Sequence, residues 1–167
     1  MKKQIFAIVG ISAMIFASSC KKTDVAQDLS SNQTTSATAP AQAWTSLNSW
    51  TSAKQEKYTS NSATIQNANI TDAVVNDGMV LVFKKSGNEI KSLPFQDKTV
   101  NASWYYQVAN GSITINSDNY GAAQNLNSQS FAYFIVTSEK LSDLQSKGKS
   151  QIDLLSLSYE EAAAILK

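Results

Sequence analysis

Hydrophobic positions along this chain fall into two patterns, unbroken runs and strict alternation. Met79-Val80-Leu81-Val82-Phe83 is apolar on both faces of a strand and rich in branched side chains. It predicts a central strand buried on both sides. Phe131 to Thr137 repeats the pattern and predicts a second one. Between them, Trp104, Tyr106, Val108, Ile113 and Ile115 alternate with more polar residues around Asn110-Gly111. Asn-Gly between alternating strands predicts a two-residue hairpin of type I′, in which both turn residues take positive φ. Such a loop sets the register: Ala109 faces Ser112, Val108 faces Ile113, Tyr106 faces Ile115 and Trp104 faces Ser117. The five alternating apolar residues then share one face, the core side. Tyr105, Gln107, Ala109, Ser112, Thr114 and Asn116 share the wetter one.

Weaker signals fill the spaces. Ser46 to Lys57 keeps no helical period and predicts an irregular or extended segment, and Ala63 to Ile70 predicts a short strand. Thr71 to Gly78 predicts one helical turn, capped by Thr71 or Asp72 and closed by Gly78 in a left-handed conformation. Lys84 to Glu89 predicts a turn, with the Lys84-Lys85 pair solvated. Glu89 to Phe95 returns as a strand that ends at Leu93-Pro94-Phe95, because Pro94 has no donor for a ladder. Ser117 to Ser130 predicts a polar loop. Ser138 to Ser146 predicts a helix capped by Ser138, with Gly148 beyond its end. Ile152 to Leu157 is ambiguous. Ser158-Tyr159-Glu160-Glu161 is a capping box that opens a last helix. The expected fold is mainly β, an antiparallel β-sandwich with a short C-terminal helical part.

The start of the chain follows different rules. Met1-Lys2-Lys3 is basic, Ile5 to Phe16 is apolar but for Gly10 and Ser12, and Ala17-Ser18-Ser19 leads to Cys20. These are the parts of an export signal. The apolar run is shorter than the roughly 20 residues a spanning helix needs. Ala-Ser-Ser-Cys resembles a bacterial lipobox. That resemblance implies lipid transfer to the Cys20 thiol, cleavage before it and acylation of the new amino terminus. Several acyl chains would anchor the chain stably in membrane lipid. The alternative is a plain secretory signal cut after Ser19. Lys21 in place of Asp leans the expected address towards the outer membrane. The division is then a signal peptide at 1–19, an acylated Cys20 with a flexible tether at 20–43, and a sandwich domain at 44–167. The tether is Ser, Thr, Ala and Gln with little apolar content. It spans on the order of 25–30 Å.

Composition removes more functions than it suggests. The chain has 167 residues, one Cys and no His. Its 14 basic residues, all Lys, balance 13 acidic ones. Without His there is no Ser-His-Asp relay and no imidazole metal site or pH switch. Without Arg or a basic stripe, nucleic acid is not an expected partner. No cofactor, metal site or catalytic residue is assigned. Asp118 with Asn116, Asn119 and Asn125 is oxygen-rich, but a calcium loop brings several carboxylates. Glu161 is explained by its cap. Asp72 and Asp77 read as cap and turn residues rather than an acid/base pair.

The run Ile70-Thr71-Asp72, Gly78 to Phe83, Leu93-Pro94-Phe95, Phe131-Ala132-Tyr133-Phe134-Ile135 and Tyr159-Glu160-Glu161 resembles short lipoproteins of Bacteroidota. The resemblance covers about Ile70 to Lys167 and implies a family of unknown function, so it assigns no catalytic residue. The expected function is a lipid-anchored cell-envelope lipoprotein whose domain is a non-catalytic binding or structural module. One alternative is glycan recognition through exposed aromatics, with Tyr105, Tyr120, Trp44 and Trp50 as candidates and Trp104 and Tyr106 assigned to the core. Another is a His-independent hydrolase that uses carboxylates. Expected partners are membrane lipid through Cys20 and a glycan or envelope protein.

Overall fold

The computed structural model describes residues 43–166. The signal, Cys20 and the tether up to residue 42 lie outside them. Within them the chain forms nine strands in two antiparallel sheets. The first sheet orders β1 (Thr45–Ser46), β9 (Ser130–Val136), β4 (Met79–Ser86) and β5 (Glu89–Ser92). The second orders β2 (Thr51–Lys54), β3 (Thr59–Gln66), β8 (Ser112–Asn119), β7 (Ala102–Ala109) and β6 (Phe95–Asp97). The expected β-sandwich with late helices is what forms.

One core lies between the sheets. Val80, Val82 and Tyr133 of the first sheet meet Ala63, Trp104, Ile113 and Ile115 of the second. A second core covers the opposite face of the first sheet. There Leu81, Phe83, Phe134 and Val136 meet Leu141, Leu144, Leu154 and Leu166. These come from α2 (Ser138–Ser146), α3 (Gln151–Leu155) and α4 (Tyr159–Leu166). The layers are therefore sheet, sheet, helices. This is why β4 and β9 are apolar at successive positions: each side of their sheet is buried.

The predicted β7–β8 register is present. Ala109 pairs with Ser112, Val108 with Ile113, Tyr106 with Ile115 and Trp104 with Ser117. Trp104, Ile113 and Ile115 are fully buried, and Tyr106 and Val108 pack against them. The turn type differs from expectation. Gly111 has φ +75°, but Asn110 does not take positive φ, so the turn is not type I′. Tertiary bonds replace local preference there. Gly111 N donates to Ile70 O at 2.7 Å, and Asn67 N donates to Gly111 O at 2.8 Å.

Other differences are local. β4 continues through Lys84 and Lys85 to Ser86, and Ser86 pairs with Glu89. The turn is therefore only Gly87-Asn88, with the glycine at φ +59° in the first central place, as type II′ requires. The strand expected from Glu89 to Phe95 breaks at Leu93-Pro94, where the chain passes from the first sheet to the second. Thr71 does cap α1 (Asp72–Asp77), but Gly78 is extended, at φ −104° and ψ −157°. Glycine is needed there for space: a Cβ would stand 2.6 Å from Val136 O. Thr137, not Ser138, caps α2. Ile152 and its neighbours form α3 behind a Ser150–Asp153 capping box. The Ser158–Glu161 box is present, with Ser158 N donating to Glu161 Oε2 at 2.9 Å.

Candidate functional site

The polarity of the inward-facing residues changes along the sandwich. Near the Asn110-Gly111 turn they are Ile113, Ile115 and Val108. Towards the other end β8 turns Ser117 and Asn119 inward, and β3 turns Asn61 inward. β4 contributes Lys84, which follows Val80 and Val82 on the same face. Lys84 sits opposite Phe131 and is only 6% exposed.

Its ammonium lies 4.5 Å from the centre of the Trp104 ring and 5.7 Å from that of Phe95. Ring faces attract a cation by their quadrupole, most strongly where water is excluded. Lys84 takes part in neither ion pair found among the described residues, Lys91–Glu89 and Lys147–Asp143. Burial pushes its pKa below the ordinary lysine value. Asp97 acts the other way, Lys91 lowers it further and Glu89 raises it.

Lys84 lines a cleft of about 440 Å³ with Asp97, Asn101, Gly121, Gln124 and Gln129. Small-molecule sites span roughly 300–1,000 Å³. Two amide atoms in its wall, Gln124 Nε2 and Gln129 Oε1, are buried without a hydrogen-bond partner. Native structures leave few such atoms unmet.

A second group lies on the outer face of the five-stranded sheet at the same end. Asp118 on β8 accepts hydrogen bonds from Ser60 Oγ at 2.7 Å and from the Tyr105 hydroxyl at 3.3 Å. Burial, then the Asp118 charge, pushes the Tyr105 phenol above its ordinary pKa. The rings of Tyr58 and Tyr120 are 5.2 Å apart and inclined by 37°. They flank a shallow depression that includes Lys57, Asn119 and Gly121. Gly121 also lines the Lys84 cleft, so one loop borders both features. That loop packs closely, since a Cβ on Gly121 would stand 2.7 Å from Val100 O.

The candidate aromatics divide between these places. Tyr120 is 45% exposed and Tyr105 half-buried, both on this outer face. Trp50 is half-buried in the inter-sheet core, edge-on to Trp104, and its indole N–H donates to Leu47 O at 2.8 Å. Trp44 is half-buried on the other side of the molecule, 4.9 Å from Tyr159 and under Lys85. The four do not meet at one surface. Asp118 and Asn119 project to opposite faces of β8, so the oxygen-rich loop does not converge on one point. Glu161 is engaged in its cap.

Sequence reasoning missed Lys84 and Tyr58. Placing Lys84 in a solvated turn was an error, because it is buried in β4. The signal was available: Val80, Val82 and Lys84 alternate, and extending the strand by three residues turns the ammonium inward. Tyr58 stands alone among polar residues, but its parity with Ser60 and Ser62 puts it on the outer face.

Comparisons with protein-family models, curated proteins and solved structures find no match.

Proposed function

We propose that this chain is a lipid-anchored cell-envelope lipoprotein whose sandwich is a non-catalytic binding module, and that its ligand is a glycan. The anchor reading rests on the residues from Met1 to Cys20. The ligand reading rests on one observation: Tyr58, Tyr105 and Tyr120 gather around Asp118 on an open sheet face. Tyrosine rings offer flat apolar surface for the C–H faces of sugars and keep a polar tip in water. A carboxylate already ordered by two hydroxyl donors retains lone pairs for sugar hydroxyls. Elsewhere the outer side of this sheet is mostly Ser, Thr and Gln.

The anchor is tested by expressing the wild type and Cys20→Ala, fractionating membranes and weighing each mature form. Acyl mass on the wild type, with loss of cleavage or of membrane association in the variant, supports it. Two soluble forms both cut after Ser19 would sink it. The ligand is tested on a glycan array with the purified full chain. Binding that Tyr120→Ala and Tyr58→Ala each weaken supports the platform. Binding indifferent to both substitutions, or none to any glycan, refutes it.

A further inference from the structure

The cleft under Lys84 has chemistry that the tyrosine platform does not use. The Lys84 ammonium borders the cleft without a counter-ion, so its partial desolvation is not offset by a paired charge. Trp104 and Phe95 repay part of it, but rings accept no hydrogen bond of carboxylate strength, and an ammonium has three donors to place. Of the nearby carboxylates, Glu89 is held by Lys91 at 3.0 Å. Asp97 lines the cleft without pairing with Lys84. Gln129 is 8% exposed and leaves its Oε1 unmet, and Gln124 leaves its Nε2 unmet. The open valences are thus a cation and an amide N–H for an acceptor, an amide oxygen for a donor, and the Asp97 carboxylate, which accepts from Thr99 N at 3.0 Å and keeps lone pairs for further donors.

We propose that this cleft binds an acidic sugar residue, its carboxylate on Lys84 and Gln124 and its hydroxyls on Asp97 and Gln129. A sugar acid meets these demands in one small molecule, with a carboxylate for the ammonium and the amide N–H and hydroxyls for the oxygens. A neutral sugar leaves the ammonium unpaired. A simple anion such as acetate leaves Gln129 Oε1 without a donor and adds none to Asp97. Gly121 borders both the cleft and the Tyr58–Tyr120 depression, so a chain lying on the platform can place one acidic unit in the cleft. This inference rests on the glycan reading and names the sugar class for it.

Galacturonate and galactose, which differ at the carboxylate, are the probes. Each is titrated into the isotope-labelled full chain, and the indole N–H signals are followed by NMR. Trp104 is identified by eliminating the others with Trp44→Phe and Trp50→Phe. Lys84 lies on the Trp104 ring, so carboxylate binding shifts that signal. The expected result is a saturable shift with galacturonate and a far weaker one with galactose. Lys84→Met should weaken galacturonate about tenfold to hundredfold, the range for a charged hydrogen bond. Gln129→Glu, which keeps length but adds a repelling charge, should do the same and serves if Lys84→Met fails to fold. Equal shifts from both sugars, or unchanged galacturonate binding in either folded variant, overturn the proposal. If galacturonate leaves Trp104 unmoved while glycans still bind through Tyr58 and Tyr120, the cleft assignment fails and the platform stands. If galacturonate binds the cleft but the tyrosine variants change no glycan binding, the platform fails and the cleft stands.

Discussion

Lys84→Met should make the protein more stable at neutral pH, and the gain should shrink as pH rises. Met nearly matches the length of the lysine stem and keeps its apolar packing on Trp104 and Phe95. The substitution gives up the cation–ring attraction at 4.5 Å, on the order of 1–2 kcal/mol for a desolvated site. It also removes the desolvation penalty of the charge, which is partial because the ammonium borders the cleft. Burial is the largest influence on Lys84 and its pKa moves down, so the penalty exceeds the attractions. The Met variant should then be the more stable protein at neutral pH. The sign of the pH effect is set by proton counting. Unfolded, Lys84 titrates near its ordinary 10.5; folded, it titrates lower. Between those two values the unfolded chain holds more protons, so raising pH through that window stabilises the wild type. The Met variant has no such group, and its advantage therefore falls as pH approaches 10.5. Urea unfolding followed by tryptophan fluorescence, at pH 7 and again near pH 10, measures both quantities. A variant less stable than wild type at pH 7, or a difference that does not change with pH, would refute the account of Lys84 as an uncompensated buried charge.

Two further substitutions test the scaffold. Gly78→Ala needs no unusual backbone conformation, yet its Cβ meets Val136 O at 2.6 Å and Val74 O at 3.0 Å; unfolding midpoints should show a loss of about 1–3 kcal/mol, and an unchanged midpoint would mean α1 and β9 separate freely. Ser158→Ala removes the hydroxyl that accepts from Glu161 N at 3.2 Å and should lower stability by about 1 kcal/mol, read by calorimetry; no loss would mean α4 is held by Leu166 and Ala162 without its cap.

How much of this was legible depended on whether local pattern or tertiary contact decided each feature. The β7–β8 register was legible because a two-residue loop leaves no freedom to strands that alternate. The turn type was not, because Gly111 and Asn67 bond to each other across sequence, and no local preference reports that. The sandwich was legible from short strands and turn signals. The helical third layer was implied by Leu81 and Phe83 as much as by Val80 and Val82, since a strand apolar on both faces needs two neighbours. Of the site, Tyr105 was found because its alternation with Trp104 and Tyr106 is plain, and Tyr120 because it stands in a polar stretch. Lys84 was missed because a paired lysine beside Ser-Gly-Asn looks like a turn. Its pairing with Phe131, 47 positions along the chain, is what carries the strand past Phe83.

The inward polar end of the sandwich should therefore be a place where stability is spent, and Ser117 tests this apart from any ligand. Ser117 is fully buried, faces Trp104 across the sheet and leaves its hydroxyl without a partner. Its backbone oxygen is already served by Asn61 Nδ2 at 3.2 Å, so the side chain is not needed for that bond. A desolvated hydroxyl without a partner costs about 1–3 kcal/mol, whereas the void left by removing one oxygen is small. Ser117→Ala should then raise stability by about 1 kcal/mol, measured by urea unfolding. The apolar end supplies the contrast: Ile113 and Ile115 continue the same face of the same strand, and shortening either should only destabilise. If Ser117→Ala instead loses about 1 kcal/mol or more, the hydroxyl has a partner of its own, and the polar end is a satisfied network rather than a set of groups held open for a ligand.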